Sequence, residues 1–203
     1  MKILLSMALL LSTFCSHAAS LSLIPHANTI STGTNLSVDL VLSGLGDHTA
    51  PLLAGFDVDV SFDADKLHLN SIDFTGVLGD VSLSEATNNT DTSSAGVANL
   101  FGLSYLEASA ANCSFCLAPY LESLQSGTVT LAHLSFTATQ VGNAHLNLNI
   151  NSLADANGEL LSATIAAPIT VAITAVPVPT ALWLFSTGLS GLMLLGRRHR
   201  LQN

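Results

Sequence analysis

Basic residues are nearly missing from the body of this chain. Its 203 residues hold five Lys and Arg against 14 Asp and Glu, and Lys2, Arg197, Arg198 and Arg200 all sit at the two ends. Residues 20–175 keep Lys66 alone against all 14 acids, a formal charge of −13. Such a surface repels phosphate backbones and anionic lipid headgroups, so nucleic acid is excluded as a partner. Tryptophan occurs once, at Trp183, and the central region has only Tyr105, Tyr120 and a few Phe. A sugar-binding platform built on Trp is thereby excluded from that region. The histidines at 26, 48, 68, 133 and 145 are scattered, with no H-E-x-x-H run, no G-x-S-x-G elbow and no phosphate-cradling glycine loop. The chain reads as a non-enzyme with no cofactor.

Cysteine is equally scarce. Cys15 lies in the N-terminal segment, where Phe14 is too bulky for the small residue that a lipidation signal requires before its cysteine. That leaves Cys113 and Cys116 in the central region, and export favours a disulfide between them. A four-residue loop gains only about 1.9 kcal/mol from loop entropy, before strain. Free thiols, catalysis and metal binding are the alternatives. A redox role needs a βαβ context, and zinc needs further ligands that are not near in sequence.

Both ends carry targeting patterns. Lys2, an apolar stretch over residues 3–11 and the small residues of Ser16-His17-Ala18-Ala19 form a signal peptide over residues 1–19, cut after Ala18 or Ala19. At the other end stands Val176-Pro177-Val178-Pro179, then an apolar run, then Arg197, Arg198, His199 and Arg200. Residues 179–196 would span about 27 Å as a helix, enough for one transmembrane helix if the flanking arginines reach the interface. Arginines after the span and none just before it place the C-terminus in the cytoplasm. Hinge, span and basic stop over residues 176–203 resemble the C-terminal sorting signal of the PEP-CTERM family of bacterial envelope proteins. Val178 stands where that family has Glu. The resemblance implies processing by an exosortase, a membrane transpeptidase, with the mature domain released to the cell surface or medium from an inner-membrane precursor.

Between the signals, apolar and polar residues alternate. Phe56, Val58, Val60 and Phe62 interleave with Asp57, Asp59, Ser61 and Asp63, and Leu36, Val38, Leu40 and Leu42 with Ser37, Asp39, Val41 and Ser43. Leu67, Leu69 and Ser71 should face one way and His68 and Asn70 the other. Val129, Leu131, Leu134 and Phe136 mark a strand with an irregularity near Ala132-His133. Leu146, Leu148 and Ile150 alternate with asparagines, and Ile169, Val171 and Ile173 close the region. Residues 82–96, rich in Ser, Thr, Asn and Asp, read as a solvated loop, and Ala118-Pro119 as the start of a short helix. The expectation is an all-β fold, an antiparallel β-sandwich over residues 20–175, followed by one C-terminal transmembrane helix.

The run Gly55-Phe56-Asp57-Val58-Asp59-Val60-Ser61-Phe62-Asp63-Ala64-Asp65-Lys66-Leu67 resembles the cohesin domain of cellulosomal scaffolds. So do a leading strand over residues 30–42, Leu134-Ser135-Phe136, Gly142, Asp155-Ala156-Asn157-Gly158 and Ile169-Thr170-Val171. The resemblance implies a nine-stranded jelly-roll sandwich that binds a protein partner through one sheet face. Asp155-Ala156-Asn157-Gly158-Glu159 echoes the start of a calcium loop but lacks the distal bidentate acid, so a β-turn is expected there. Asp57, Asp59, Asp63 and Asp65 read as a solvated strand face and turn. Three function classes stay open: an exported module with an unknown protein partner, a module for carbohydrate such as exopolysaccharide, and, least supported, a hydrolase.

Overall fold

The computed structural model describes residues 19–113, 116–176 and 185. Strands follow in chain order as β1 (Ala19–Pro25), β2 (Thr29–Ser31), β3 (Asn35–Ser43), β4 (Leu53–Phe62), β5 (Leu67–Phe74), β6 (Ala86–Asp91) and β7 (Val97–Ser104). A single short helix, α1 (Leu121–Leu124), precedes β8 (Thr128–Ala138), β9 (Gly142–Asp155), β10 (Ala163–Ile165) and β11 (Ile169–Thr174). One sheet runs β10-β1-β3-β8-β5 and the other β2-β11-β9-β4-β7-β6. Pairing is antiparallel except at two margins, where β1 meets β10 and β11 meets β2 in parallel.

Period-two alternation explains the closure of the sandwich. Phe56, Val58 and Val60 of β4 and Leu36, Val38 and Leu40 of β3 turn inward and are buried, as are Leu134 and Phe136 of β8 and Leu146 of β9. Removing such side chains from water is the main stabilising term, about 1.5–3 kcal/mol for each large one. The irregularity expected near Ala132 is a bulge, because the β3–β8 register shifts between Leu40 and Val41. Leu131 and Ala132 are consecutive and both buried, as a bulge permits. Gly102 of β7 faces the core where a Cβ would stand 2.6 Å from the Phe56 ring, so only glycine fits without displacing it.

Four expectations need correction. Residues 82–96 are not a continuous loop, since they contain β6, an edge strand whose one buried residue is Ala86. Edge strands are often polar, which hides their period-two signal. Residues 30–42 are two strands, divided by a turn at Thr32-Gly33 where Gly33 takes φ +84°; β2 belongs to one sheet and β3 to the other. Ser71 does not share the inward face of Leu67 and Leu69, because the β5–β8 register shifts between Leu69 and Ser71 and Ile72 takes the inward position. The nine strands implied by the resemblance become eleven among the described residues, the short β2 and β10 included.

The expected signal-peptide residues up to 18, the expected sorting residues Pro177, Val178, Pro179, Arg197, Arg198 and Arg200, and the expected span over 179–196 apart from Phe185 lie outside the described residues. No helix among the described residues is long and apolar enough to cross a membrane. Ala19 opens β1, is 1 % exposed and pairs with Ala163. Val176 follows the last strand and is exposed.

Candidate interaction face

Every inward residue of the six-stranded sheet has an outward neighbour, and the outward set is chemically distinctive. On β4 these are Asp57 and Asp59; on β7 Val97, Asn99, Phe101 and Leu103; on β9 Asn147, Asn149 and Asn151. Register sets Asp59 directly opposite Asn99 on one side and Asn149 on the other, while Asp57 lies opposite Phe101. Asn99 Nδ2 donates to Asp57 Oδ1 at 2.6 Å and to Asp59 Oδ1 at 2.8 Å. From the other flank Asn151 Nδ2 donates to Asp57 Oδ1 at 3.0 Å, and Asn149 Nδ2 to Asn151 Oδ1 at 2.9 Å. Three strands are thus laced by amides that converge on two carboxylates. The half-buried Val97, Phe101 and Leu103 form an apolar strip beside them.

The array is held by hydrogen bonds within the sheet itself. Hydrogen bonds from Asn99 first, then from Asn151 and Asn149, outweigh the opposing effect of burial and hold the Asp59 carboxyl below its ordinary value of 3.8. Asp57 and Asp59 direct their carboxyl groups outward from β4, on the face opposite the buried Phe56, Val58 and Val60. Fixed carboxylates next to an apolar strip suit recognition of a flat, complementary surface.

Three other acids, Asp155, Asp63 and Asp39, tie parts of the fold together. Asp155 Oδ1 accepts the backbone N–H groups of Asn157 at 2.8 Å and Glu159 at 2.9 Å, which closes a turn with Gly158 at φ +80°. Asp63 accepts from Lys66 Nζ at 2.9 Å and from the His145 backbone N–H at 3.2 Å. On the outer face of the five-stranded sheet, Asp39 sits between His26 Nε2 at 3.0 Å and His133 Nδ1 at 2.7 Å. Burial raises the Asp39 pKa, but the hydrogen bonds from His26 and His133 outweigh it and leave the carboxyl below 3.8. Asp63 is lowered chiefly by the Lys66 hydrogen bond. In Asp155 burial raises the pKa, and the Glu159 and Asn157 hydrogen bonds overcome it.

These directions fix an acid response. A carboxylate with a depressed folded-state pKa stabilises the fold fully above its unfolded value, and that stability is lost as pH falls through the folded value. Urea midpoints are expected to change little among these groups from about pH 7 to about pH 5 and to drop below about pH 4. Midpoints rising on acidification through that lower window would contradict the Asp39, Asp59, Asp63 and Asp155 geometry.

Cys113 and Cys116 are joined, with Cα atoms 5.5 Å apart. Glu107 lies close to both, but paired cysteines offer no thiolate, so this group does not make a metal centre. Asn99 and Gln125 escaped the sequence reading. Val97, Phe101 and Leu103 point outward, so β7 does not alternate cleanly, and Asn99 looks like an isolated polar residue in an apolar run. Gln125 is 0 % exposed at the end of α1: its Oε1 accepts the Leu53 N–H at 2.8 Å, and its Nε2 donates to the carbonyls of Leu53 at 2.6 Å and Val77 at 3.0 Å.

No protein-family model matches the chain, and no curated protein matches it by sequence. Solved structures with a similar fold do exist. The sixth cohesin of scaffoldin B from Acetivibrio cellulolyticus, solved in complex with a Cel5 dockerin, has a TM-score of 0.56 at 17% identity, covering 78% of this chain and 99% of that one. The seventh type I cohesin of scaffoldin B from Pseudobacteroides cellulosolvens gives 0.56 at 13% identity, over 80% and 96%. A cohesin from Clostridium acetobutylicum, solved in solution, gives 0.56 at 18% identity, over 77% and 91%. The two-sheet body of this chain is therefore a cohesin-like β-sandwich.

Proposed function

We propose that this chain is an exported, non-catalytic module of the cell envelope or extracellular matrix, whose six-stranded sheet docks a protein partner. The observation that carries the reading is the Asp57–Asn99–Asp59 array, flanked by Asn149, Asn151 and the Val97–Phe101–Leu103 strip. From strand spacing and rise, the sheet face measures roughly 25 Å by 30 Å. That is close to the ~800 Å² per partner of a standard protein interface. The partner's face should carry Lys or Arg opposite the two carboxylates and an apolar side chain opposite Phe101. Solved neighbours in complex with dockerins support a folded protein module as the class of partner.

Site-resolved photo-crosslinking in the native cells tests this. A photoreactive residue at Asn149 should yield a discrete protein adduct, and one at Asp73, on the outer face of the other sheet, should not. Equal adducts at both positions, or none at Asn149, would count against the docking face.

Delivery follows from the two ends. Ala19 pairs with Ala163 and Ser20 with Ser43, whereas the Thr174 carbonyl accepts the Thr32 N–H at 2.9 Å, near the start of β3. The β3 strand separates these points by about 30 Å. A membrane segment after Val176 would hold the Thr32 end toward the bilayer and turn the end bearing the disulfide loop outward, with the polar face exposed sideways. A cut after Ala18 leaves β1 whole, and a cut after Ala19 removes a buried strand residue. Peptide mass spectrometry of the surface-exposed protein should find Ala19 at the N-terminus and an end near Val176, where an exosortase would act on the Val176–Pro179 hinge. A chain still ending at Asn203 in cells with an active exosortase would make residues 179–196 a plain anchor.

A further inference from the structure

We propose a second binding site, for a neutral saccharide, in the lateral cleft between edge strands β5 and β6. The cleft opens at the side of the sandwich where the two sheets part and shares only Val97 with the docking strip of the six-stranded face, whose Asp57, Asp59, Asn99, Phe101 and Leu103 do not line it. Its volume is about 480 Å³, within the roughly 300–1,000 Å³ range of small-molecule sites. The floor is apolar, made by Phe62, Leu69 and Ile72, and the rim carries the hydroxyls of Thr90, Thr92 and Ser94. The Phe62 ring packs edge-on against Phe136 with centroids 5.1 Å apart, which fixes its orientation.

Two features choose the ligand chemistry. In a region with 14 acids, no carboxylate and no ammonium group among the described residues lines this cleft, and His68 is the one titratable side chain among them that does. A charged ligand would find no counter-ion there, and burying it unpaired is costly. The strands on either side are also sheet edges, β5 pairing only with β8 and β6 only with β7. Their outer backbone N–H and C=O groups are free to meet a ligand rich in both donors and acceptors. A sugar ring offers both kinds of group at its rim and C–H faces for an apolar floor. A neutral oligosaccharide satisfies all three surfaces of the cleft at once.

Ile72 provides a built-in reporter. The test is methyl NMR on the full chain in detergent micelles, labelled at isoleucine and titrated with cellohexaose, maltohexaose and laminarihexaose, with oligogalacturonate as an acidic counter-probe. At least one neutral hexasaccharide should shift the Ile72 methyl saturably, with half-saturation below about 10 mM, while Ile150 and Ile173 stay in place. Ala95→Trp, which fills the cleft from the exposed turn, should abolish the shift and leave Ile150 and Ile173 at their wild-type positions. The proposal is overturned if no neutral probe moves Ile72, if Ala95→Trp binds as well as wild type, or if the acidic probe binds equally. A neutral unstructured peptide that shifts Ile72 where no saccharide does would assign the cleft to strand addition instead.

Discussion

Gln125→Leu should cost about 3–5 kcal/mol of folding stability, although it changes neither charge nor, by much, side-chain volume. Among the described residues Gln125 is the one buried polar side chain, and it ties the segment after the disulfide loop to the sandwich. It meets both backbone groups of Leu53, where β4 begins, and the carbonyl of Val77 in the 3-10 turn over Gly76–Leu78. Leucine would leave one N–H and two C=O groups buried without partners, at about 1–3 kcal/mol each, partly relieved by water or local movement. Domains of this size are stable by only about 5–15 kcal/mol, so a large share would go. Urea unfolding of the purified protein checks this: a midpoint far below wild type, with a similar far-ultraviolet spectrum before the transition, is expected. A loss under about 1 kcal/mol would show that the Gln125 clamp is dispensable.

The double variant Asp57→Lys and Asp59→Lys should lower affinity for the partner captured at Asn149 by about 30-fold to 4,000-fold. Reversing two charges at a complementary interface removes attraction and adds repulsion, commonly about 2–5 kcal/mol for groups desolvated on docking. Both carboxylates are on an open sheet face and not in the core, so folding should survive with a modest loss from the broken Asn99, Asn149 and Asn151 hydrogen bonds. Asp73→Lys, on the outer face of the five-stranded sheet beside His133, is the matched control and should bind as wild type. If the control weakens binding as much as the double variant, the partner responds to net charge and not to this face.

The alternating strands of the sandwich were legible because burial on one side writes itself into sequence at period two. Phe56, Val58 and Val60 and the asparagine-spaced Leu146, Leu148 and Ile150 carry that signal directly. It fails where a strand lacks two contrasting faces. Strand β6 is polar on both sides because it is an edge, and β7 is largely apolar on both sides because Val97, Phe101 and Leu103 face outward. Strand β1 has clear alternation, with Leu21 and Leu23 buried between serines, but it adjoins the expected signal-peptide boundary, which masks it as a separate strand. The pairing of Asp59 with Asn99 and Asn149 depends on register among strands far apart in sequence, which no local pattern reports. Gln125 was invisible for the same reason, since its partners lie 72 and 48 residues away.

Amide hydrogen–deuterium exchange on the complex with the captured partner tests the docking face most directly. Protection gained on binding should concentrate in β4, β7 and β9, around Asp57, Asp59, Asn99, Phe101 and Asn149. It should be small in β1, β3 and β8, whose outer face lies on the opposite side of the sandwich. Protection centred on β3 and β8, around Asp39 and His133, would contradict the account by placing the partner on the other sheet.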